Sequence, residues 1–321
     1  MSQQQVPPDV GGWFRTARVG RNVLPGKAWG PPEDSSFGLV SPPGDVTAAA
    51  EALRNLPTMV LTGAGTSTAS GLADYRGRRA VPRAPMTYQE FVSSDDSRRH
   101  YWARSTVGWP SFRVARPNVV HEQVVSLATV LPVTGVVTQN VDGLHQAAGS
   151  GPVLDLHGRL STVTCLSCCT VSDREALQQR LLELNPGFAA RLDDLAEQTA
   201  LLPDGDAEVD RTEEFVYSDC AVCGGVLKPD VVYFGENACK EVVTAAFDLL
   251  DASEALLVLG SSLTVMSGLR FVRRASRDGK PIIIINDGAT RGDDLATHRL
   301  HGRLEAVLGE IIRPLTGRPG H

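Results

Sequence analysis

The chain has 321 residues, of which 42% are hydrophobic, and its formal net charge is −6. This length can bury a core large enough for one large domain or two unequal ones. No apolar run approaches the ~20 residues needed to span a bilayer. The acidic balance argues against a nucleic-acid partner, whose affinity would depend on neutralising phosphates. We therefore expect neither a membrane nor a nucleic-acid partner.

The first 44 residues are rich in proline and glycine, and we predict an extended arm over residues 1–44. Residues 1–10 lack the charged start and apolar stretch of a secretory signal. We expect a cytoplasmic protein of bacterial type, although the basic residues Arg15, Arg18 and Arg21 leave organellar targeting open. The oligomeric state is not determined by the sequence.

Five short apolar segments predict the strands of an α/β fold with a Rossmann-like parallel sheet. They lie at residues 58–62, 133–138, 153–156, 255–259 and 282–285. A continuous apolar run without alternation is typical of a strand covered on both faces. Helical patterning begins at residues 45–56, with Asp45 as the predicted N-cap. Because polar or glycine residues follow every strand, and ligands bind beyond the carboxyl ends of such strands, we expect one composite site.

Two CxxC pairs, Cys165 with Cys168 and Cys220 with Cys223, give the strongest spacing signal. Four thiolates at this spacing are typical of one tetrahedral structural zinc with no open position for water. Cys169 is an alternative to Cys168, but the two-residue spacing favours Cys168. The cysteines mark a small zinc-binding module inserted at about residues 159–227.

Between the two pairs, the sequence predicts an amphipathic helix. Ser172 and Glu175 have the spacing of a capping box, and Leu177, Leu181 and Leu184 follow at i, i+4 and i+7.

Glycines follow the first predicted strand, at Gly63 and Gly65. They allow a backbone to approach a pyrophosphate, but Thr68 stands where the standard dinucleotide fingerprint has its third glycine. The acidic residue expected about 20 residues later is also missing. A hydride-transfer dehydrogenase is therefore disfavoured.

Two further strand ends carry amides, a carboxylate and imidazoles. The second strand is followed by Gln139, Asn140 and Asp142, and the third by His157. An imidazole titrates near neutral pH, which makes His157 a candidate general base, although a single histidine at a strand end is more often structural. Neither a GxSxG nor an HExxH motif is present, which disfavours serine and zinc hydrolases.

Taken together and in this order, the motifs resemble the sirtuin family of NAD-dependent protein deacylases. The similar segments are GAGTSTASGLADYRG at 63–77, TQNVDGLH at 138–145, LHG at 156–158, the two CxxC pairs, KPDVVYFGE at 228–236, GSSL at 260–263 and IIIIND at 282–287. The segments at 98–112 and 267–272 look most like the class II, sirtuin-4-like branch. The resemblance implies a sirtuin catalytic domain over residues 45–315.

The resemblance also implies the chemistry and the site residues. An acyl-lysine carbonyl attacks the nicotinamide ribose of NAD and nicotinamide leaves. Water completes the reaction, and the products are free lysine and 2′-O-acyl-ADP-ribose. His157, Asn140 and Asp142 are the implied catalytic residues, and Val232 and Phe234 are implied to line the lysine tunnel. The implied cofactor-binding set comprises Gly63, Ala64, Gly65, Ser67, Asp74, Tyr75, Arg76, Gln139, Asn140, Asp142, Gly260, Ser261, Ser262, Asn286 and Asp287.

The sequence departs from the family at two loop positions. Thr66 stands where the family usually has isoleucine, and Ala73 where it has proline, which removes a fixed φ. We identify no Tyr-x-x-Arg pair of the kind that reads negatively charged acyl groups, since Arg98-x-x-Tyr101 runs in the reverse order, and expect little preference for succinyl or malonyl groups.

Two other functions stay open beside the deacylase. One is transfer of ADP-ribose from NAD to a protein, and the other is an NAD-sensing module with weak turnover. The intact set of Asn140, Asp142 and His157 argues against a pure sensor, which has no need of a base.

Overall fold

The computed structural model describes residues 43–73, 85–192 and 212–316. The strands are β1 (Thr58–Thr62), β2 (Val133–Thr138), β3 (Val153–Asp155), β4 (Gly158–Cys165), β5 (Val171–Asp173), β6 (Leu227–Val231), β7 (Ala255–Leu259), β8 (Ile282–Asn286) and β9 (His298–His301). The helices are α1 (Pro43–Leu53), α2 (Tyr88–Ser93), α3 (Asp95–Val114), α4 (Val119–Leu127), α5 (Leu144–Ala147), α6 (Arg174–Leu184), α7 (Pro186–Ala189), α8 (Lys240–Asp251), α9 (Met266–Arg277) and α10 (Leu304–Leu315).

Six strands form one parallel sheet in the order β3-β2-β1-β7-β8-β9. The chain starts at the centre with β1, winds outward to β3, returns to the centre at β7 and then winds outward on the other side. The winding therefore reverses between β1 and β7, and this switch point is where open α/β sheets bind ligands. The predicted α/β class with a Rossmann-like parallel sheet is confirmed.

Both faces of the parallel sheet are buried, which explains the continuous apolar runs. Val60 on β1 packs into a core with α1, α4 and α10. Its neighbours Met59 and Leu61 point to the opposite face, into a second core with α8 and α9. Since successive side chains of a strand point to opposite faces, burial on both sides requires every position to be apolar.

A second, smaller sheet is antiparallel and has the order β5-β4-β6. Its apolar side packs with α6 and with α3, through Val163, Leu177, Trp102 and Phe215. β4 begins directly after His157, and β6 ends directly before Val232. The small sheet is thus connected to the main sheet at two segments of the predicted site.

Several predicted boundaries differ from the structure. The first helix begins at Pro43 and ends at Leu53, so Asp45 lies in its first turn and is not the N-cap. A carboxylate there still interacts favourably with the helix dipole. The third strand ends one residue early, at Asp155, and the strand predicted at 282–285 extends to Asn286. Residues 1–42 of the predicted arm lie outside the described ranges.

The predicted capping box of the inserted helix is wrong. Ser172 lies in β5 and pairs with Val163, and the cap is Asp173, whose carboxylate accepts a hydrogen bond from the backbone of Ala176. Glu175 instead accepts a 2.7 Å hydrogen bond from the indole of Trp109. Leu177 and Leu181 are buried as predicted, whereas Leu184, at 42% exposure, is not. Within the described ranges, no helix is both long and apolar enough to cross a membrane.

Candidate active site

Two glycine-bearing loops meet at the switch point of the sheet. The backbone N–H of Gly63, after β1, donates to the carbonyl of Leu259, and the N–H of Gly65 donates to the carbonyl of Gly260 at 2.9 Å. A Cβ on Gly65 would lie 2.9 Å from the Cα of Gly260. The two backbones are therefore in contact, and a side chain at this position requires one of them to move.

A buried network of side chains joins the first loop to the end of β2. The amide of Asn140 donates to the hydroxyl of Ser67 at 2.9 Å, and Ser67 donates to Oδ2 of Asp142 at 2.6 Å. The other carboxylate oxygen of Asp142 accepts the backbone N–H of Leu144. Since Asn140 and Ser67 are both buried, these bonds fix the three side chains against one another.

Thr66 belongs to the same network and explains one departure from the family pattern. It is completely buried, and its hydroxyl donates to the carbonyl of Gly63 and accepts from the amide of Asn140. Both polar functions of the hydroxyl are thus satisfied where the family usually has an apolar side chain, so burial carries no unpaired-group penalty.

His157 lies at the end of β3, with both ring nitrogens hydrogen-bonded. Nδ1 is 2.8 Å from the backbone carbonyl of Gln139, and Nε2 is 2.8 Å from the hydroxyl of Ser267. A carbonyl only accepts, so Nδ1 carries the proton and Nε2 holds the lone pair. Burial lowers the pKa of His157, the Gln139 carbonyl raises it, and the positive charge of Arg270 lowers it further. The net shift is downward, so the ring is neutral at neutral pH.

The side chain of Gln139 is held from two sides. The hydroxyl of Ser261, after β7, donates to its carbonyl oxygen at 2.6 Å. On the other side, a Cβ on Gly268 of α9 would lie 2.8 Å from its amide nitrogen. Gln139 is therefore packed between the β7 end and α9, and its own backbone carbonyl positions His157. The ends of β1, β2, β3 and β7 form one composite site, as predicted.

Asn118, which the sequence analysis did not identify, supports the first loop from α4. Its side-chain amide donates to the carbonyl of Thr66 at 2.9 Å and to the hydroxyl of Ser70 at 2.8 Å. Its side-chain oxygen caps α4 by accepting the N–H of Val120. The spacing Asn118-x-x-His121 signals a capping box, but nothing in the sequence signals the contact with the loop.

The other predicted residues take several positions. The backbone N–H of Val232 donates to the carbonyl of His157, whereas Phe234 pairs through its carbonyl with Tyr88 at the start of α2. Asn286 donates to Gly288 within its own turn. Ala64 accepts the N–H of Ser67, Ser262 accepts from Thr264, and Asp287 follows β8 directly. Asp74, Tyr75 and Arg76 lie outside the described ranges.

Four cysteines form a cluster at the end of the small sheet. The thiol sulfurs of Cys165, Cys168, Cys220 and Cys223 all lie within 4.8 Å of one another. Cys165 is 3.5 Å from Cys223, and Cys168 is 3.8 Å from Cys220. All are free thiols. Four thiolates at these separations fit one tetrahedral zinc, and the prediction of Cys168 over Cys169 agrees with this group.

Comparison with known proteins agrees with the fold and the motifs. Residues 63–267 match the model of the Sir2 family. This chain belongs to the Sir2 family. The match begins at Gly63 and ends at Ser267, so it extends from the loop after β1 to the start of α9.

Relatives of this sirtuin occur in bacteria. The "NAD-dependent protein deacetylase 1" of Mycobacterium avium (strain 104) is 50% identical over 262 residues, which cover 82% of this chain and 93% of the relative. The protein of the same name from Streptomyces coelicolor is 49% identical, with 87% and 93% covered. A solved structure described as "Sir2-p53 peptide-NAD+" superposes with a TM-score of 0.65 at 26% identity, covering 84% of this chain and 97% of that one.

The sirtuin does contain the Tyr-x-x-Arg spacing that the sequence analysis did not identify. Tyr101 and Arg104 lie one turn apart on α3. Tyr101 is buried, with its ring 5.4 Å from that of Phe91 and 5.7 Å from that of Tyr233. The guanidinium of Arg104 is 3.3 Å from Nε2 of His100. The expectation of little preference for acidic acyl groups therefore loses its basis.

Proposed function

We propose that this sirtuin is an NAD-dependent protein lysine deacylase of the deacetylase type. One observation above all supports the proposal: His157, a neutral imidazole with a fixed tautomer, lies at a dinucleotide-type switch point beside the buried Asn140 and Asp142 network. A base with this geometry suits proton abstraction near neutral pH. The relatives from Mycobacterium avium and Streptomyces coelicolor, both named NAD-dependent protein deacetylases, support the same reading.

The residues at the sheet edge fit NAD. The Gly63, Gly65 and Gly260 backbones lie against one another at the switch point, where doubly wound sheets bind dinucleotides. We assign the phosphates to these backbones with Ala64, Ser67, Ser261 and Ser262, the ribose next to nicotinamide to Gln139 and Asn140, and its carboxamide to Asp142. From the resemblance of residues 63–77 we also assign Asp74, Tyr75 and Arg76 to NAD binding, and we assign Asn286 and Asp287 to the adenosine end. NAD supplies the electrophilic ribose carbon that receives the acyl oxygen.

The proposed role of His157 is to accept a proton at Nε2. Since Nδ1 is protonated and donates to the Gln139 carbonyl, Nε2 is the ring nitrogen whose lone pair can take a proton. It accepts the proton of a ribose hydroxyl, which activates that oxygen. The Gln139 carbonyl stabilises the imidazolium that forms, because Nδ1–H continues to donate to it.

The acyl-lysine substrate lies along the segment after β6. Val232 is tied by its backbone to His157, so a lysine beside Val232 lies next to the base. We propose that Val232 and Phe234 line the aliphatic lysine stem, because an uncharged acylated chain favours apolar contacts. One structural zinc stabilises the small sheet, which contains β6. Its ligands are Cys165, Cys168, Cys220 and Cys223. We propose residues 45–315 as the catalytic domain, with this module at about 159–227.

The finer assignment to the class II, sirtuin-4-like branch is also a proposal. It is supported by the similarity of residues 98–112 and 267–272 to that branch. A cytoplasmic location is a proposal as well, and it agrees with the use of two CxxC pairs for a metal, which is typical of cysteines in a reducing compartment.

The experiment is mass spectrometry of an acetyl-lysine peptide incubated with the protein and NAD. Loss of acetyl with formation of acetyl-ADP-ribose is expected. A mass increase of the protein target by ADP-ribose indicates the alternative transferase, and no product with intact NAD binding indicates a sensor. His157→Ala is expected to abolish deacetylation and to leave NAD binding intact. The control is His298→Ala on the edge strand β9, which should leave the rate unchanged.

A panel of acetyl, succinyl, lipoyl and longer acyl peptides then identifies the preferred acyl group. Tyr101 and Arg104 have the spacing that recognises acidic acyl groups. The peptide panel should therefore be measured with the variant Arg104→Gln as well as with wild type. Loss of succinyl turnover alone in this variant assigns Arg104 to acyl recognition.

A further inference from the structure

One contact of the catalytic histidine comes from a part of the chain that the proposed mechanism does not use. Ser267, the second residue of α9, places its hydroxyl 2.8 Å from Nε2 of His157. The two residues are 110 positions apart in the sequence. Nε2 is the atom that must take the proton, so the only described side chain bonded to the reactive atom is this serine.

The direction of the hydrogen bond follows from the tautomer. In the neutral ring Nδ1–H donates to Gln139, so Nε2 accepts and the Ser267 hydroxyl donates to it. After proton uptake, Nε2–H becomes a donor, and the same hydroxyl can rotate and accept from it. A serine can therefore hydrogen-bond to both protonation states of His157, whereas an alanine can hydrogen-bond to neither.

The position of Ser267 is fixed by the loop that leads into α9. Leu263 in that loop is buried, and its φ of 53° lies in the left-handed region that leucine rarely adopts. Such a backbone persists only where the surroundings determine it. One residue after Ser267, Gly268 packs against the side chain of Gln139. The start of α9 thus contacts both the base and the residue that orients it.

We propose that Ser267 is a positioning residue that holds the His157 imidazole in place and sets the proton affinity of Nε2. The proposal deepens the deacylase function proposed above and rests on His157 being its base. The ring nitrogens contact two neutral groups, the Gln139 carbonyl and the Ser267 hydroxyl, and Arg270, on the same helix as Ser267, is the charged group in the described ranges that acts on the pKa of His157.

Removal of the Ser267 hydroxyl should lower the pKa of His157. Ser267→Ala removes a neutral hydrogen bond from the imidazole and a charge-assisted one from the imidazolium. Since charge-assisted bonds are about twice as strong, the imidazolium loses more, and the pKa of His157 falls. We expect a fall of about half to one pH unit. Nε2 has one lone pair, so the ribose hydroxyl replaces the Ser267 hydroxyl there before the proton moves, and the contact acts on His157 before NAD binds, where kcat/KM for NAD reports its pKa.

The test compares wild type with Ser267→Ala, Ser267→Thr and, as a control on the same helix, Ser276→Ala. Nuclear magnetic resonance titration of the His157 ring in the resting protein, assigned with His157→Gln, measures the pKa without any turnover. The pH profile of kcat/KM for NAD, measured with an acetyl-lysine peptide, reports the same group before NAD binds. Ser267→Ala should move both midpoints to lower pH, while the threonine variant, which keeps the hydroxyl, and Ser276→Ala should match wild type.

The outcomes separate this proposal from the proposed function. An unmoved His157 midpoint in Ser267→Ala, or a lower kcat/KM for NAD without a shift of the acidic limb, overturns the role of Ser267. A shifted ring titration in a protein without deacylase activity supports the contact and contradicts the function. If Ser267→Ala unfolds, Ser267→Cys, whose thiol is a weaker donor and acceptor, should shift the midpoint in the same direction by a smaller amount. An unshifted midpoint in that variant counts against the proposal.

Discussion

The hydroxyl of Ser67 donates a 2.6 Å hydrogen bond to the carboxylate of Asp142, across 75 positions of the sequence. Ser67 follows β1 and Asp142 follows β2, so this bond joins the ends of two adjacent strands. The same hydroxyl accepts the amide of Asn140. The serine therefore orders both polar groups that we assign to the nicotinamide end of NAD.

Ser67→Ala should weaken NAD binding more than it weakens folding. The substitution removes one partner each from Asn140 and Asp142, and an unpaired buried group costs about 1–3 kcal/mol. We expect the KM for NAD to rise by about one order of magnitude. Initial-rate kinetics measure this, with the exposed Thr68→Ala of the same loop as control. An unchanged KM for NAD would contradict the assignment of the network to the cofactor.

Asn118→Asp separates the two functions of Asn118. Aspartate is as good an N-cap as asparagine, so α4 keeps its cap. The new carboxylate cannot donate to Thr66 and Ser70, and it faces the Thr66 carbonyl with a like partial charge. We expect a rise in the KM for NAD with little change in the melting temperature. Calorimetric titration with NAD and thermal unfolding measure the two quantities. A melting temperature that falls in proportion to affinity indicates a purely structural role.

Removal of zinc should affect both stability and activity. The small sheet joins the main sheet beside His157 and Val232, so loss of its metal disturbs the site as well as the module. Cys220→Ser should reduce the zinc content below one ion per chain and lower the melting temperature. The control is Cys239→Ser, which lies outside the cluster and should retain the metal. Elemental analysis with thermal unfolding provides the measurement, and equal stability of the two variants would exclude a structural zinc.

A buried pair of histidines should make the fold sensitive to acid. The rings of His121 and His145 lie 4.7 Å apart, and burial, with the nearby His121, lowers the pKa of His145 to about 3. In the unfolded chain His145 binds a proton near pH 6.5. Its contribution to the free energy of unfolding is therefore fully present above that pH and is lost as the pH falls toward 3. The loss amounts to at most roughly 5 kcal/mol for this group.

His145→Phe tests this dependence. In the described part of the chain, neither ring nitrogen of His145 has a hydrogen-bond partner, so a phenyl ring of similar shape loses no bond. Urea unfolding between pH 4 and pH 7 should show a flatter dependence in this variant than in wild type. Equal slopes would show that His145 does not titrate between the folded and unfolded states.

The strands were predictable because burial on both faces leaves a continuous apolar run, as in residues 255–259. The composite site was predictable because the carboxyl ends of parallel strands meet at one edge of the sheet. The cap of α6 was not predictable from spacing alone, since Ser172 and Asp173 are both good caps. Ser172 lies in β5 and pairs with Val163 of β4, so it cannot cap the helix, and Asp173 is the cap.

The sequence by itself determined which chemistry is available: glycines at one strand end, Asn140 and Asp142 at the next, His157 at the third, and two cysteine pairs at zinc spacing. These signals are local, because they depend on residue type and on distances of a few positions. Only the tertiary structure decided which groups bond to one another, as with Ser267 on His157, Asn118 on Thr66 and Ser67 on Asp142. A hydrogen bond requires donor and acceptor within about 3 Å at a suitable angle. For residues 50 to 110 positions apart, that geometry is set by how helices and strands pack, which no local pattern records.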